Sequence, residues 1–178
     1  MHHAPATSTG RARKHERLPL NLLEPLEQAS VPSNRRPTTL EHLAAARRTE
    51  LANQWSVAAQ VEQALSDERS GQAPSAMRWL REGRLLAAYL PDSGGSWHFP
   101  PWQFGSDGKP VQYLTEILGS IRSTGQFLDA KGRTTGWAEI EWFLSGHALL
   151  NGRSPAELLS TMPYQVLRAA LAEFQSEN

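Results

Sequence analysis

The chain has 178 residues, with 18 basic and 18 acidic side chains, 39% hydrophobic residues and no cysteine. The balanced charge excludes a nucleic-acid sponge or an acidic solvating polymer, and the missing cysteine excludes disulfides, thiolate nucleophiles and cysteine-ligated zinc. The apolar content can fill a sizeable core, no apolar run approaches the roughly 18 residues of a membrane span, and the N-terminus has no hydrophobic leader core, so a soluble, cytoplasmic protein with no membrane partner is expected.

Residues 1–37 contain Pro5, Pro19, Pro25, Pro32 and Pro37 among Ser, Thr and Arg, and their one apolar cluster is LPLNLLEPL. Such a stretch lacks the apolar surface to offset the entropy of ordering it, so a disordered tail is expected. Arg11, Arg13, Lys14 and Arg17 would add phosphate attraction, and Leu18 to Leu26 would serve equally as a segment docking on the core or on a partner.

Residues 38–84 read as a helical module. Thr38 opens a capping box with Glu41, and Leu40, Leu43, Arg47, Leu51 and Trp55 recur at roughly helical spacing, which predicts a helix over 39–53. Ser56 reads as the cap of a second helix with Val57, Val61 and Leu65 inward, ending in DERSG with Gly71 as its stop. Pro74 starts a third, APSAMRWLREG, with Met77, Leu80 and Trp79 inward, Arg78 and Arg81 outward, and Arg84 just past Gly83. This order matches a helix-turn-helix whose Arg78, Arg81 and Arg84 would reach phosphates or guanine edges of operator DNA. The arginines suit a solvated helix face as well, because only three lysines accompany them and DERSG is longer than the usual tight turn.

Residues 85–104 read as a two-stranded β-ribbon: Leu85 to Leu90 and Ser96 to Phe104 are short apolar runs separated by PDSGG. Pro100 and Pro101 cannot donate to a ladder, which predicts that the second strand is a short edge piece. Trp97, Phe99, Trp102 and Phe104 fit core packing better than an exposed stacking platform.

Residues 105–178 read as a second helical module. Ser106-Asp107-Gly108 makes a turn, and Leu114, Ile117, Leu118 and Ile121 predict a helix over about 111–122. Gly125 ends it, Phe127 and Leu128 clip onto the core, and DAKG turns the chain. Trp137, Ile140, Leu144 and Ala148 then lie along one helical face, with Glu139 and Glu141 near its positive end. Asn151-Gly152 favours a left-handed turn, and Ser154, Pro155 and Glu157 read as N-cap, first-turn proline and capping-box carboxylate of a short helix. Pro163 starts a last helix in which Leu167, Ala170, Leu171 and Phe174 share a face, behind Met162 as a poor cap.

The runs HALLNGRSPAELL and MPYQVLRAALAEF resemble the toxin-binding domain of the MbcA/ParS/Xre antitoxin family, and GRLLAAYL, HFPPWQF and GSDGKP extend the likeness from about Met77 to Phe174. The resemblance implies a mostly helical domain that binds and blocks a partner toxin, often of the RES-domain type, with an N-terminal DNA-binding module in many members. It assigns toxin contact to the surface near the turn, where Trp142, His147, Leu150, Asn151, Gly152 and Arg153 stand. His147 occupies a position where the family more often has Asn, and the upstream region does not spell a clear Xre-type helix-turn-helix.

Enzymatic signatures are missing: the chain has no HExxH, no phosphate loop ending in GK[ST], no GxGxxG and no GxSxG. His42, His98 and His147 have no acid one helical turn away, and Glu139 and Glu141, two residues apart, point to different sides of a helix. No catalytic, cofactor or metal site is therefore expected. The residue pattern predicts a mainly α fold with a short β-ribbon, and the resemblance implies an antitoxin-like protein that neutralises a cognate toxin through its C-terminal helices, binds operator DNA to regulate itself and forms a homo-oligomer. A sequence-specific transcription regulator that dimerises through its C-terminal helices and has no toxin is the alternative, and a stand-alone protein-interaction module is the third.

Overall fold

The computed structural model describes residues 38–66, 75–91 and 94–175. The expectations for the 1–37 tail, for DERSG with Gly71 and for Pro74 lie outside those residues.

Helix α1 (Thr39–Ala52) begins at the expected capping box: the Thr38 hydroxyl accepts from the Glu41 N–H, and the Glu41 carboxylate accepts from the Thr38 N–H. Its apolar stripe enters the core only at its far end, through Leu51 and Trp55. Leu40 and Leu43 remain 77% and 61% exposed, and burial starts only at the last turn, with Ala52 and the following Trp55. That end is held by Arg48, which pairs with Glu141 at 2.8 Å and lies over the Trp137 ring, and by the Trp55–Trp137 ring contact at 5.9 Å.

Ser56 does not cap a helix. Ser56–Val57 is a short strand, β1, whose residues pair antiparallel with Phe99 and His98. Helix α2 (Ala58–Leu65) follows, the Val57 N–H being taken up by the Gln60 side chain at 3.0 Å. Helix α3 (Ala76–Arg81) is capped by Ser75, buries Ala76 and Leu80, and stops before Gly83, whose φ is +70°. Strands β2 (Ala88–Leu90) and β3 (Ser96–Phe99) complete a three-stranded antiparallel sheet in the order β1-β3-β2. The expected two-stranded ribbon thus gains a strand from the preceding segment, and β3 is central, not an edge. Its prolines are tolerated because they lie beyond its last paired residue.

The next segment turns over Pro101–Gln103 in a short 3-10 helix. Gln103 is fully buried there, and its amide acts as a substitute strand edge: its Oε1 accepts from the Leu86 N–H and its Nε2 donates to the Leu86 carbonyl, both at 2.8 Å, and to the Pro100 carbonyl at 3.1 Å. Helix α4 (Leu114–Ser123) turns Leu114, Ile117, Leu118 and Ile121 inward as expected. Helices α5 (Trp137–Leu144), α6 (Pro155–Leu158) and α7 (Pro163–Phe174) follow. On α7 the buried face is Val166, Ala169, Ala170 and Phe174, so Leu167 and Leu171 stand at its margin rather than at its centre.

One hydrophobic cluster runs from Ala52 to Phe174 and takes side chains from α1, the sheet and the C-terminal helices. Phe99 is fully buried in it, and Trp97, Trp102 and Phe104 pack against it, with Trp102 stacked on Phe143 at 4.7 Å. The mainly α architecture with a small antiparallel sheet is as the residue pattern predicts. No helix among the described residues is long and apolar enough to cross a membrane.

Candidate protein-binding site

Helix α5 ends earlier than its stripe predicts. Ser145 leaves the helical conformation with ψ 146°, and its hydroxyl donates to the Glu141 carbonyl at 2.7 Å. Ala148, expected on the inward face of α5, is therefore outside the helix and exposed, and Leu144 at its last residue is exposed too. The reason lies at Gly146: a Cβ there would overlap the Gly152 carbonyl, so this position must be glycine for the chain to fold back on itself.

The returning loop is pinned at both ends. The His147 N–H donates to the Arg153 carbonyl at 3.1 Å, and the Gly152 N–H donates to the His147 carbonyl at 2.9 Å. Asn151 and Gly152 both take positive φ, 56° and 78°, as the Asn-Gly pair predicts. Ser154 and Glu157 then form the expected capping box, with Pro155 in the first turn of α6.

This geometry divides the residues that the resemblance places at the contact surface. Trp142 and Leu150 are in the core, 6% and 3% exposed, and offer no area to a docking protein. The Trp142 Nε1–H donates to Glu173 at 2.9 Å. His147 is half-buried beneath the turn: its Nε2 donates to the Trp142 carbonyl at 2.9 Å and its Nδ1 faces the Glu173 carboxylate at 3.4 Å. Asn151, Gly152 and Arg153 are exposed, Arg153 standing 3.8 Å from Glu157. They are held by the backbone of the turn and not by side-chain packing.

The residue that sequence reasoning overlooked is Leu149, 66% exposed. The three residues Ala148–Leu150 form a 3-10 turn, in which successive side chains point about a third of a circle apart, so Leu150 can fill the core only if its neighbour faces out. Leu149 stands on the wall of a groove of about 280 Å³ whose other residues, Gln165, Arg168, Ala169 and Ala172, belong to α7. Arg168 forms no ion pair or side-chain hydrogen bond with any described residue.

The arginines at the end of α3 are brought together differently. Arg78 pairs with Glu82 at 2.7 Å, Arg84 approaches the same carboxylate at 3.7 Å and lies 4.1 Å over the Trp79 ring, and Arg81 donates to the Met77 carbonyl. Hydrogen bonding to Arg78 holds the Glu82 carboxyl below its ordinary pKa. All three guanidiniums are exposed, but two of them share one anion. A further pair, Arg122 with Glu139 at 3.1 Å, is enclosed in the core, where the Thr134 hydroxyl donates to Glu139 at 2.8 Å. The described residues contain no group of His, Asp and Glu side chains able to hold a metal ion. The chain matches no family model, no curated protein and no solved structure.

Proposed function

We propose that the chain is an antitoxin-like protein that binds and occludes a partner toxin, of the RES-domain type that the resemblance implies, through the turn from Gly146 to Pro155. The observation that carries this reading is Leu149: a leucine 66% exposed on a backbone fixed by Gly146, Asn151, Gly152 and the Ser154 cap. An aliphatic side chain presented on a preorganised scaffold contributes to binding without the entropic cost of ordering a loop. The turn, LNGRSP, is also one of the more specific pieces of the likeness, beside GRLLA and FPPWQF with GSDGKP. Its test is co-expression with a RES-domain toxin encoded by the neighbouring reading frame. The two chains are expected to purify together with the toxin inactive, and Leu149→Glu and Arg153→Glu to release it while changing stability by no more than about 0.5 kcal/mol. A folded Leu149→Glu chain that neutralises the toxin as well as wild type removes the reading.

A second reading, operator binding for autoregulation, is favoured by the three exposed guanidiniums of Arg78, Arg81 and Arg84 at one end of α3. Replacing Arg78 and Arg81 with Ala would then weaken DNA binding and flatten its salt dependence by about one unit of slope per lost phosphate contact. Absence of DNA binding by the wild type at low salt removes this second reading.

A further inference from the structure

The groove between Leu149 and α7 has a feature the core does not need. The other described arginines each have a partner: Glu50 for Arg47, Glu141 for Arg48, Glu82 for Arg78 and Arg84, the Met77 carbonyl for Arg81, Glu139 for Arg122, Asp129 for Arg133 and Glu157 for Arg153. Arg168 alone among them has none, and it stands on the lip of a groove whose walls are the Leu149, Ala169 and Ala172 side chains. An exposed guanidinium thus stands beside an apolar trough with no partner among the described residues.

We propose that this groove takes an acidic, leucine-bearing segment of a partner protein. An aliphatic side chain of the segment enters against Leu149, Ala169 and Ala172, and a carboxylate within one turn of it pairs with Arg168. The inference rests on the reading that this face binds a protein, and it specifies what chemistry the protein must bring. Three considerations select this occupant. A volume of about 280 Å³ falls at or below the range of sites that enclose a small-molecule ligand, but admits a side chain from a docked helix or strand. The free donors select an anion, and the planar fork of arginine matches a carboxylate in two parallel hydrogen bonds. The apolar wall beside it excludes water from one side of that pair, which strengthens it relative to an ion pair in open solvent. Gln165, on the same face, supplies an amide that can bond the backbone of the incoming segment.

The test needs no toxin. A display library of random 14-residue peptides is selected against the immobilised full-length chain, and the enriched sequences are measured by titration against wild type, Arg168→Glu, Arg168→Lys and Leu149→Ser. Arg168 and Leu149 are exposed or on the groove lip, so all variants are expected to keep the wild-type melting curve. Enriched peptides should combine a leucine-like residue with Asp or Glu three or four positions away. They should lose roughly tenfold or more in affinity for Arg168→Glu, with Arg168→Lys intermediate, and bind wild type more weakly as salt is raised. Neutral or basic consensus sequences, equal affinity for Arg168→Glu, or no enrichment at all overturns the proposal. So does a wild-type dimer that Arg168→Glu converts to monomer in light scattering, since the groove would then hold a second copy. Failure of the toxin to co-purify, with acidic peptides still selected, removes the proposed function and leaves the groove's chemistry standing.

Discussion

Helix α1 and the segment from Gly146 to Leu158 both rely on a capping box, Thr38 with Glu41 in the first and Ser154 with Glu157 in the second, and both carry leucines. In α1 the box starts 14 residues of helix whose leading leucines are exposed among the described residues; in the later segment it starts a helix of 4 residues in which Pro155 and Leu158 are buried. The local signal is the same and the tertiary outcome is opposite. Capping fixes where a helix begins, and burial depends on whether another surface is available at that place. The later segment has such a surface because Gly146 lets the chain return onto α5 and α7, whereas the described residues hold α1 near its last turns, through Arg48, Ala52 and Trp55.

The contrast can be broken most strongly from the buried side. Arg122→Ala leaves the Glu139 carboxyl enclosed without its cation, with a hydroxyl as partner, and is expected to cost about 3–5 kcal/mol in denaturant unfolding. Gly146→Ala, which forces a methyl group against the Gly152 carbonyl, is expected to cost roughly 2–3 kcal/mol, while Gly152→Ala, with open space around its Cβ but a φ of +78°, should cost only about 1 kcal/mol. Equal effects at the two glycines would mean that the loop does not close on itself. On the α1 side, Leu43→Ala should change stability by less than about 0.5 kcal/mol; a loss near 2 kcal/mol would show that α1 is covered in solution.

The smallest effect concerns acid. The Thr38 backbone N–H and hydroxyl hold the Glu41 carboxyl below its ordinary pKa, so the cap contributes fully above the ordinary carboxylate value and is lost as pH falls through the lower folded value. Helical circular dichroism from α1 should therefore fade in wild type as pH falls below the ordinary carboxylate range but show no such step in Glu41→Gln, and identical acid titrations of the two would show that the box does not hold α1.

The starts of α1, α6 and α7 are legible because their determinants are local: Thr38, Ser154, Pro155 and Pro163 each act on residues within one turn. The turn at Asn151-Gly152 was legible for the same reason. What escaped the sequence depends on partners far along the chain. Ser56 looked like a cap because its pairing with Phe99 is set by the return of β3, and the early end of α5 is dictated by a glycine six residues ahead of the carbonyl it must clear. The candidate site was half legible. The loop was recognised, but Trp142 and Leu150 were assigned to its surface when packing assigns them to its foundation, and Leu149, the side chain left outside, was passed over because three consecutive apolar residues carry no directional signal until the turn type is known.

The fork of hydrogen bonds between Gln103 and Leu86 bears on how this protein opens. Both polar groups of the Leu86 backbone are bound by one side chain from 17 residues away, inside the core, so the Leu86 amide can meet solvent deuterium only when the Pro100–Gln103 segment lifts off. Exchange at that amide is then a clock for the separation of the sheet from its covering loop. Amides in the first turns of α1 have no such guard and should exchange many orders of magnitude sooner, which divides the chain into an early-opening arm and a late-opening body.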